Sequence, residues 1–156
     1  MKKQPRTISS RLPPYVSKDN GFEWRRRILS MVRQARDEAK PSLLRTAKVE
    51  VIVLFYLAKV KRSDKQDVDN LLKHVLDALQ GHVGGPKSRK AKNRIIRNDT
   101  QVCRVVVEKQ YRPKMYSGRD EGGLVTAGGR IRIRPYREHK WPLQASKGHR
   151  LKKAHG

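Results

Sequence analysis

Asp67-Val68-Asp69-Asn70-Leu71-Leu72-Lys73-His74-Val75-Leu76-Asp77-Ala78-Leu79 lies between two runs rich in β-branched residues. Leu71, Leu72, Val75, Leu76 and Leu79 recur at the spacing of one helix face, which predicts an amphipathic helix over about 68–80. Gly81 stands where a C-terminal cap belongs. Upstream, Val49-Glu50-Val51-Ile52-Val53-Leu54-Phe55-Tyr56 predicts a strand over 48–57. Downstream, Val102-Cys103-Arg104-Val105-Val106-Val107 predicts another over 100–109. A helix between two strands supplies the long crossover that a parallel pair needs. The expected class is therefore mixed α/β.

The flanks extend this reading. Trp24, Ile28, Met31, Val32 and Ala35 share a helical stripe over 22–39 and are expected in the core, with Arg25, Arg26, Arg33 and Arg36 largely off it and Pro41 beyond the end. Gly129-Arg-Ile-Arg-Ile-Arg-Pro135 alternates as a half-buried strand should. Residues 7–12 are a candidate first strand. A polar turn is expected at 61–65, and loops at 82–94 and 112–123. The expected organisation is a basic extended segment over 1–21, a single α+β domain over 22–136 with a mixed sheet packed by two helices, and a disordered basic tail over 137–156.

The chain has 156 residues, enough for one domain with one modest core. Its 38 Lys and Arg against 14 Asp and Glu give a formal charge of +24. A body of that charge repels itself unless a polyanion screens it, and nucleic acid is the usual one. A membrane surface would call for a basic amphipathic helix or a lipidation signal, and the ends show no such signal. The apolar run over 49–60 contains Glu50 and Lys59 and is too short to span a bilayer. No apolar stretch follows the basic N-terminus, so no signal peptide is expected. A soluble, cytoplasmic protein without a membrane partner or nucleotide cofactor is expected. Cys103 is the single cysteine, which excludes an internal disulfide and a cysteine-based zinc finger, and it is expected to be a small buried strand residue.

Carboxylates are scarce, yet Asp64, Asp67, Asp69 and Asp77 fall close together. In a chain built to bind phosphates they repel the ligand unless a cation lies between. Mg²⁺ suits that role, taking one or two carboxylates with waters and phosphate oxygens. The cluster is thus a candidate nuclease metal site. Asp67 and Asp69 are expected on one side of an extended lead-in, with Asp69 as helix N-cap. Lys73 follows one turn after Asp69, and Asp77 one turn after Lys73, as a possible partner for it. The same spacing also describes an ordinary N-capped surface helix with a weak i,i+4 pair.

Asp67-Val68-Asp69-Asn70-Leu71-Leu72-Lys73, running into Leu76-Asp77-Ala78-Leu79 and a glycine, resembles the central motif of the RusA-type Holliday junction resolvases. Asp99-Thr100-Gln101-Val102, with Lys109 closing the strand, is similar to that family's second motif. The likeness spans about 48–112. It implies that Asp67, Asp69 and Asp99 hold one or two Mg²⁺ ions, with Mn²⁺ able to substitute, and that Lys73 is a catalytic lysine offsetting charge at the scissile phosphate. Asn70 and Asp77 match motif positions with structural roles. The family resemblance further implies a homodimer that nicks a four-way junction symmetrically, leaving 5′-phosphate and 3′-hydroxyl ends, in recombination and repair. A bacterial or phage setting on the nucleoid follows from the same resemblance.

Two departures stand out. The family commonly carries a second acidic residue where this chain has Asn98, and the stretch between Gly81 and Asn98 is longer than usual. Lys87, Arg89, Lys90 and Lys92 in that stretch are candidate DNA contacts, as are Arg130, Arg132 and Arg134; a solvated, disordered insertion and a charged edge strand are the competing readings. Composition alone also fits a non-catalytic nucleic-acid-binding protein of ribosomal or DNA-compacting type, and Asn98 leaves open an inactive or diverged relative acting on other branched DNA. His74 is expected at the surface; His82, His139, His149 and His155 show no ligand spacing.

Overall fold

In β2 (Val49–Leu57), Val49, Val51, Val53 and Phe55 are fully buried, and their period of two marks one covered sheet face. The structure is a computed structural model that describes residues 7–15, 18–39, 47–57, 67–111 and 126–138. The expected turn at 61–65, the loop at 112–123, Pro41, Trp141 and nearly all of the tail lie outside them. β2 is an inner strand of a four-stranded sheet ordered β1-β4-β2-β3. The other strands are β1 (Ile8–Leu12), β3 (Val102–Tyr111) and β4 (Thr126–Pro135). β4 runs antiparallel to both β1 and β2, whereas β2 and β3 are parallel. The crossover between the parallel strands is α2 (Val68–Leu79).

α2 and α1 (Phe22–Ala39) cover the same face of the sheet. Trp24, Ile28, Leu29 and Val32 of α1 join Leu71, Val75, Ala78 and Leu79 of α2, and both sets meet Ile8, Leu12, Ile131, Ile133 and the β2 residues in one core. Met31 is only half buried and Ala35 packs at the core's margin, while Leu29 takes an inner place; the stripe on α1 is thus rotated slightly from the expected one. β1 makes residues 8–12 part of the domain's sheet, since Ile8 pairs with Ile133 and Leu12 with Gly129. Ile95 and Ile96, from the long connection after α2, also enter the core.

β3 corrects one expectation. Cys103 is exposed, because the β2–β3 register slips between Val49↔Val102 and Glu50↔Arg104 and leaves Cys103 as the extra residue of a bulge. β3 also starts later than expected, since residues 99–101 form a 3-10 turn. On the open face, Ile52 and Leu54 of β2 lie beside Arg132 and Arg130 of β4, next to Ser9 and Arg11 of β1. These residues line a shallow groove of about 520 Å³. Glu50 lies on the same face yet is only 2% exposed. Arg104 of β3 pairs with it at 2.7 Å and Arg134 of β4 pairs with it from the other side, so one buried carboxylate ties three strands together.

Candidate active site

The start of α2 places the first carboxylates. Asp67, not Asp69, is the N-cap: its backbone is extended (φ −64, ψ 143) and its carbonyl accepts from Asn70 N–H at 3.1 Å and Leu71 N–H at 3.3 Å. Its side chain makes no capping bond. Asp69 falls instead in the first helical turn, where the helix dipole favours negative charge. Both residues are exposed, and among the described residues no side chain pairs with either. Lys73, one turn further along, is exposed as well.

Asp77 is not the partner of Lys73. Arg25 Nη2 of α1 lies 3.1 Å from Asp77 Oδ2, and both side chains are largely covered. The same guanidinium donates from Nε to His74 Nδ1 at 2.9 Å and from Nη1 to the His82 carbonyl at 3.5 Å, and it lies over the Phe22 ring at 5.1 Å. His74 is therefore no surface residue. Its ring packs 5.9 Å from Tyr15 and 5.8 Å from Trp24, whose Nε1 donates to the Pro13 carbonyl at 2.9 Å. Gly21 makes room for it: a Cβ there would come within 2.5 Å of the His74 ring, and φ is +79. Burial lowers the His74 pKa from the usual 6.5; Arg25 adds to the shift, Asp77 opposes it and Lys73 adds a smaller part. An imidazole that accepts at Nδ1 is neutral with its proton on Nε2. This assembly fixes the rotation of α2 and so the direction in which Asp69 and Lys73 face.

The far end of α2 is closed by Gly81. Its N–H donates to the Ala78 carbonyl at 3.0 Å and the His82 N–H to the Asp77 carbonyl at 2.8 Å, the paired bonds of a Schellman cap, with φ at +83. The connection that follows is a folded loop. Ala91 N–H returns to the Gly81 carbonyl at 2.9 Å, and Ile95 and Ile96 N–H share the Leu79 carbonyl. Arg26 and Arg36 of α1 donate to the carbonyls of Val83 and Arg94 at 3.3 and 3.4 Å. Lys87, Arg89 and Lys92 are exposed on this loop, and Lys90 reaches the Arg97 carbonyl at 3.5 Å.

Asp99 stands at the end of that loop, exposed, in the turn ahead of β3. Asn98 caps the turn: its Oδ1 accepts from Thr100 N–H at 3.1 Å and from the Thr100 hydroxyl. The amide oxygen at this position is thus committed to local structure. Gln101 clamps the turn in place by accepting from Arg97 N–H at 2.6 Å and donating to the Ala47 carbonyl at 3.0 Å, just ahead of β2.

These anchors separate the carboxylates. His74, midway along α2, lies against Tyr15 and Gly21 near the end of β1, and Leu12 of β1 is level with Gly129 and with Phe55 toward the C-terminal end of β2. Leu79 meets the loop leading to Asp99, which sits at the N-terminal end of β2. Asp67 and Asp69 thus lie at one end of a 12-residue helix, about 18 Å long at the usual rise, and Asp99 lies past the other. Among the described residues no group of three or more His, Cys, Asp or Glu could hold a metal. Asp67 and Asp69 together offer exposed oxygen donors of the kind a hard divalent ion prefers; the set of three does not fit one ion within one chain.

The candidate DNA contacts also divide. Arg130 and Arg132 are exposed on the open face, whereas Arg134 is engaged by Glu50. Sequence reasoning missed Arg25 and Glu50. Glu50 carried a signal, as a lone charge inside an apolar strand; Arg25 looked like one basic residue among many.

A sequence model of the family described as endodeoxyribonuclease RusA matches residues 2–120. No curated protein matches the chain.

Proposed function

Because this chain belongs to the endodeoxyribonuclease RusA family, we propose that it resolves four-way DNA junctions as a homodimer, by divalent-metal-dependent hydrolysis of phosphodiester bonds, in recombination and repair. The observation that carries this reading is the exposed trio at the start of α2, Asp67, Asp69 and Lys73, in a chain of charge +24. A non-catalytic phosphate binder gains nothing from two exposed carboxylates next to its ligand.

Asp67 and Asp69 would hold Mg²⁺, or Mn²⁺ in its place, with Asp99 joining them only where the homodimer brings it to that end of α2. Such an ion, when bound, makes water acidic enough to act as a nucleophile and neutralises phosphate charge. Lys73 sits one turn from Asp69 with its ammonium in solvent, able to reach a phosphate that Asp69 itself would repel, and there offsets the charge that develops as the P–O bond breaks. The 3′ oxygen leaves with a proton, giving a 5′-phosphate and a 3′-hydroxyl. Lys87, Arg89, Lys90, Lys92, Arg130 and Arg132 supply sequence-independent backbone contacts, with the counterion release that such contacts entail. Among the described residues no helix is long and apolar enough to cross a membrane; we place the protein in the cytoplasm of a bacterium, on host or phage DNA.

The test is cleavage of a synthetic four-way junction beside a linear duplex of equal length, with Mg²⁺ or EDTA, for wild type and Asp69→Asn. Paired, symmetric nicks in the junction alone, only with metal and only in wild type, are expected. Tight binding without cutting in every lane would overturn the reading in favour of a binding protein.

A further inference from the structure

Both helices pack on one face of the sheet, and the strand register sorts the other face into two strips. In one row across it, Val106 of β3 is level with Ile52 of β2, Ile52 with Arg132 of β4, and Arg132 with Ser9 of β1. In the next row, Leu54 is level with Arg130, and Arg130 with Arg11. The β2–β3 side is therefore apolar along Ile52, Leu54 and Val106, and the β4–β1 side is cationic along Arg11, Arg130 and Arg132. The groove of about 520 Å³ runs where the strips meet, with Ile52 and Leu54 on one side and the three arginines on the other.

Charge gives the face a direction. Arg11, Arg130 and Arg132 are exposed, and among the described residues no carboxylate pairs with them. Arg104 and Arg134, by contrast, share Glu50. Glu108, level with Leu54 on the edge strand, closes the apolar strip with a negative charge, so an anion is drawn to the β4–β1 side and repelled from the other. Val106 is 37% exposed, which leaves the apolar strip open to a ligand.

A ligand that suits both strips is anionic along one edge and apolar along the other. Duplex DNA is not, because its bases face inward and it would set phosphates or solvated groove edges over Ile52, Leu54 and Val106. An unpaired strand is: its phosphates can follow the arginines, and its bases, free of the stack, can lie on the apolar strip or on the guanidinium planes. Arg130 and Arg132 are two residues apart on one strand, about 7 Å at the usual rise, so they can meet successive phosphates rather than crowd one. We propose that the open face of the sheet binds single-stranded DNA, with phosphates along Arg11, Arg130 and Arg132 and bases over Ile52, Leu54 and Val106. This site lies across the sheet from α2 and its exposed Asp69 and Lys73. For the nuclease reading above, on which this consequence rests, branched DNA with an unpaired segment should bind more tightly than a fully paired junction.

The test compares two probes in EDTA, so that no cleavage enters: a thymidine oligonucleotide and an abasic oligonucleotide of equal length and charge. By fluorescence anisotropy the full chain should bind the thymidine strand at least about fivefold more tightly. Ile52→Asn combined with Leu54→Asn should remove that preference while affinity for the abasic strand stays within about twofold, which also reports a folded variant. Val106→Asn, on the edge strand, should reduce the preference and serves where the double variant fails to fold. Arg11→Ala combined with Arg130→Ala should weaken both probes together and lower the salt slope of each by about 1 to 2. Equal affinity of the wild type for the two strands would overturn the proposal and leave a plain anion-binding surface. A thymidine preference that survives in the asparagine variants would also overturn it, since the bases would then sit elsewhere. A wild type that shows the preference, loses it in those variants and never cuts a junction would overturn the nuclease reading and leave this site standing.

Discussion

Arg25 Nε donates to His74 Nδ1 at 2.9 Å while its Nη2 holds Asp77 Oδ2 at 3.1 Å, so one guanidinium of α1 grips two positions one turn apart on α2. The motif helix is thereby locked in rotation, with Asp69 and Lys73 left in solvent. That arrangement needs His74 neutral, and burial and Arg25 both press it that way.

Stability should therefore depend on pH through His74. Its folded pKa lies below the unfolded value of 6.5, so the unfolded chain binds more protons in that range. The contribution is fully present above 6.5 and is lost as pH falls from there toward the folded value. The thermal midpoint of wild type should drop across this window, and His74→Asn, which keeps an acceptor but cannot titrate, should flatten the slope. An equal slope in both proteins would exclude His74 as its source.

Asp77→Ala leaves Arg25 without its carboxylate in a largely covered place. Urea unfolding should show a loss of about 1–3 kcal/mol, the usual consequence of orphaning a hydrogen-bonded charge. A change within a few tenths would show that solvent already satisfies Arg25.

Glu50→Gln tests the tie across the open face. The carboxylate is buried between Arg104 and Arg134, and removing its charge leaves two guanidinium groups facing each other. The expected loss is about 2–3 kcal/mol, below the figure for a fully buried pair because both arginines reach solvent. Glu50→Gln as stable as wild type would mean the two arginines simply swing outward.

Lys73→Ala should separate chemistry from binding. Cleavage should fall by about two to three orders of magnitude, as when one transition-state donor is removed, while junction affinity changes only a few-fold. A parallel fall in affinity would make Lys73 a binding residue.

Arg132→Ala should weaken junction binding and reduce the slope of log affinity against log salt by about 1, the signature of one lost phosphate contact. Arg134→Ala, engaged with Glu50 in the free protein, should move that slope much less. Equal slopes for wild type and Arg132→Ala would remove the open face from the DNA path.

Local periodicity made both helices, β2 and β4 legible in the sequence, because a side chain's face is set by residues three or four positions away in a helix and two in a strand. The motif at Asp67–Lys73 stood out in the sequence as a carboxylate cluster, and Asp99 was singled out only through the resemblance to a known family. The N-cap was misplaced by two residues: aspartate suits both the cap and the first turn, and only the extended backbone of Asp67 decides between them. Cys103 was misjudged because a bulge depends on the facing strand. His74 and Asp77 took their roles from Arg25, 49 residues away from His74 in sequence, and Glu50 took one of its partners from 84 residues away.

The sequence by itself determined the strong positive charge, the alternation of strand and helix, and the candidates for the chemistry, since charge totals and periodicity are properties of the chain before it folds. Tertiary structure alone decided which end of the sheet each of those residues occupies. A parallel β2–α2–β3 unit must run its helix back along the strands, so it carries Asp69 and Asp99 to opposite ends, and spacing along a chain holds no record of that direction.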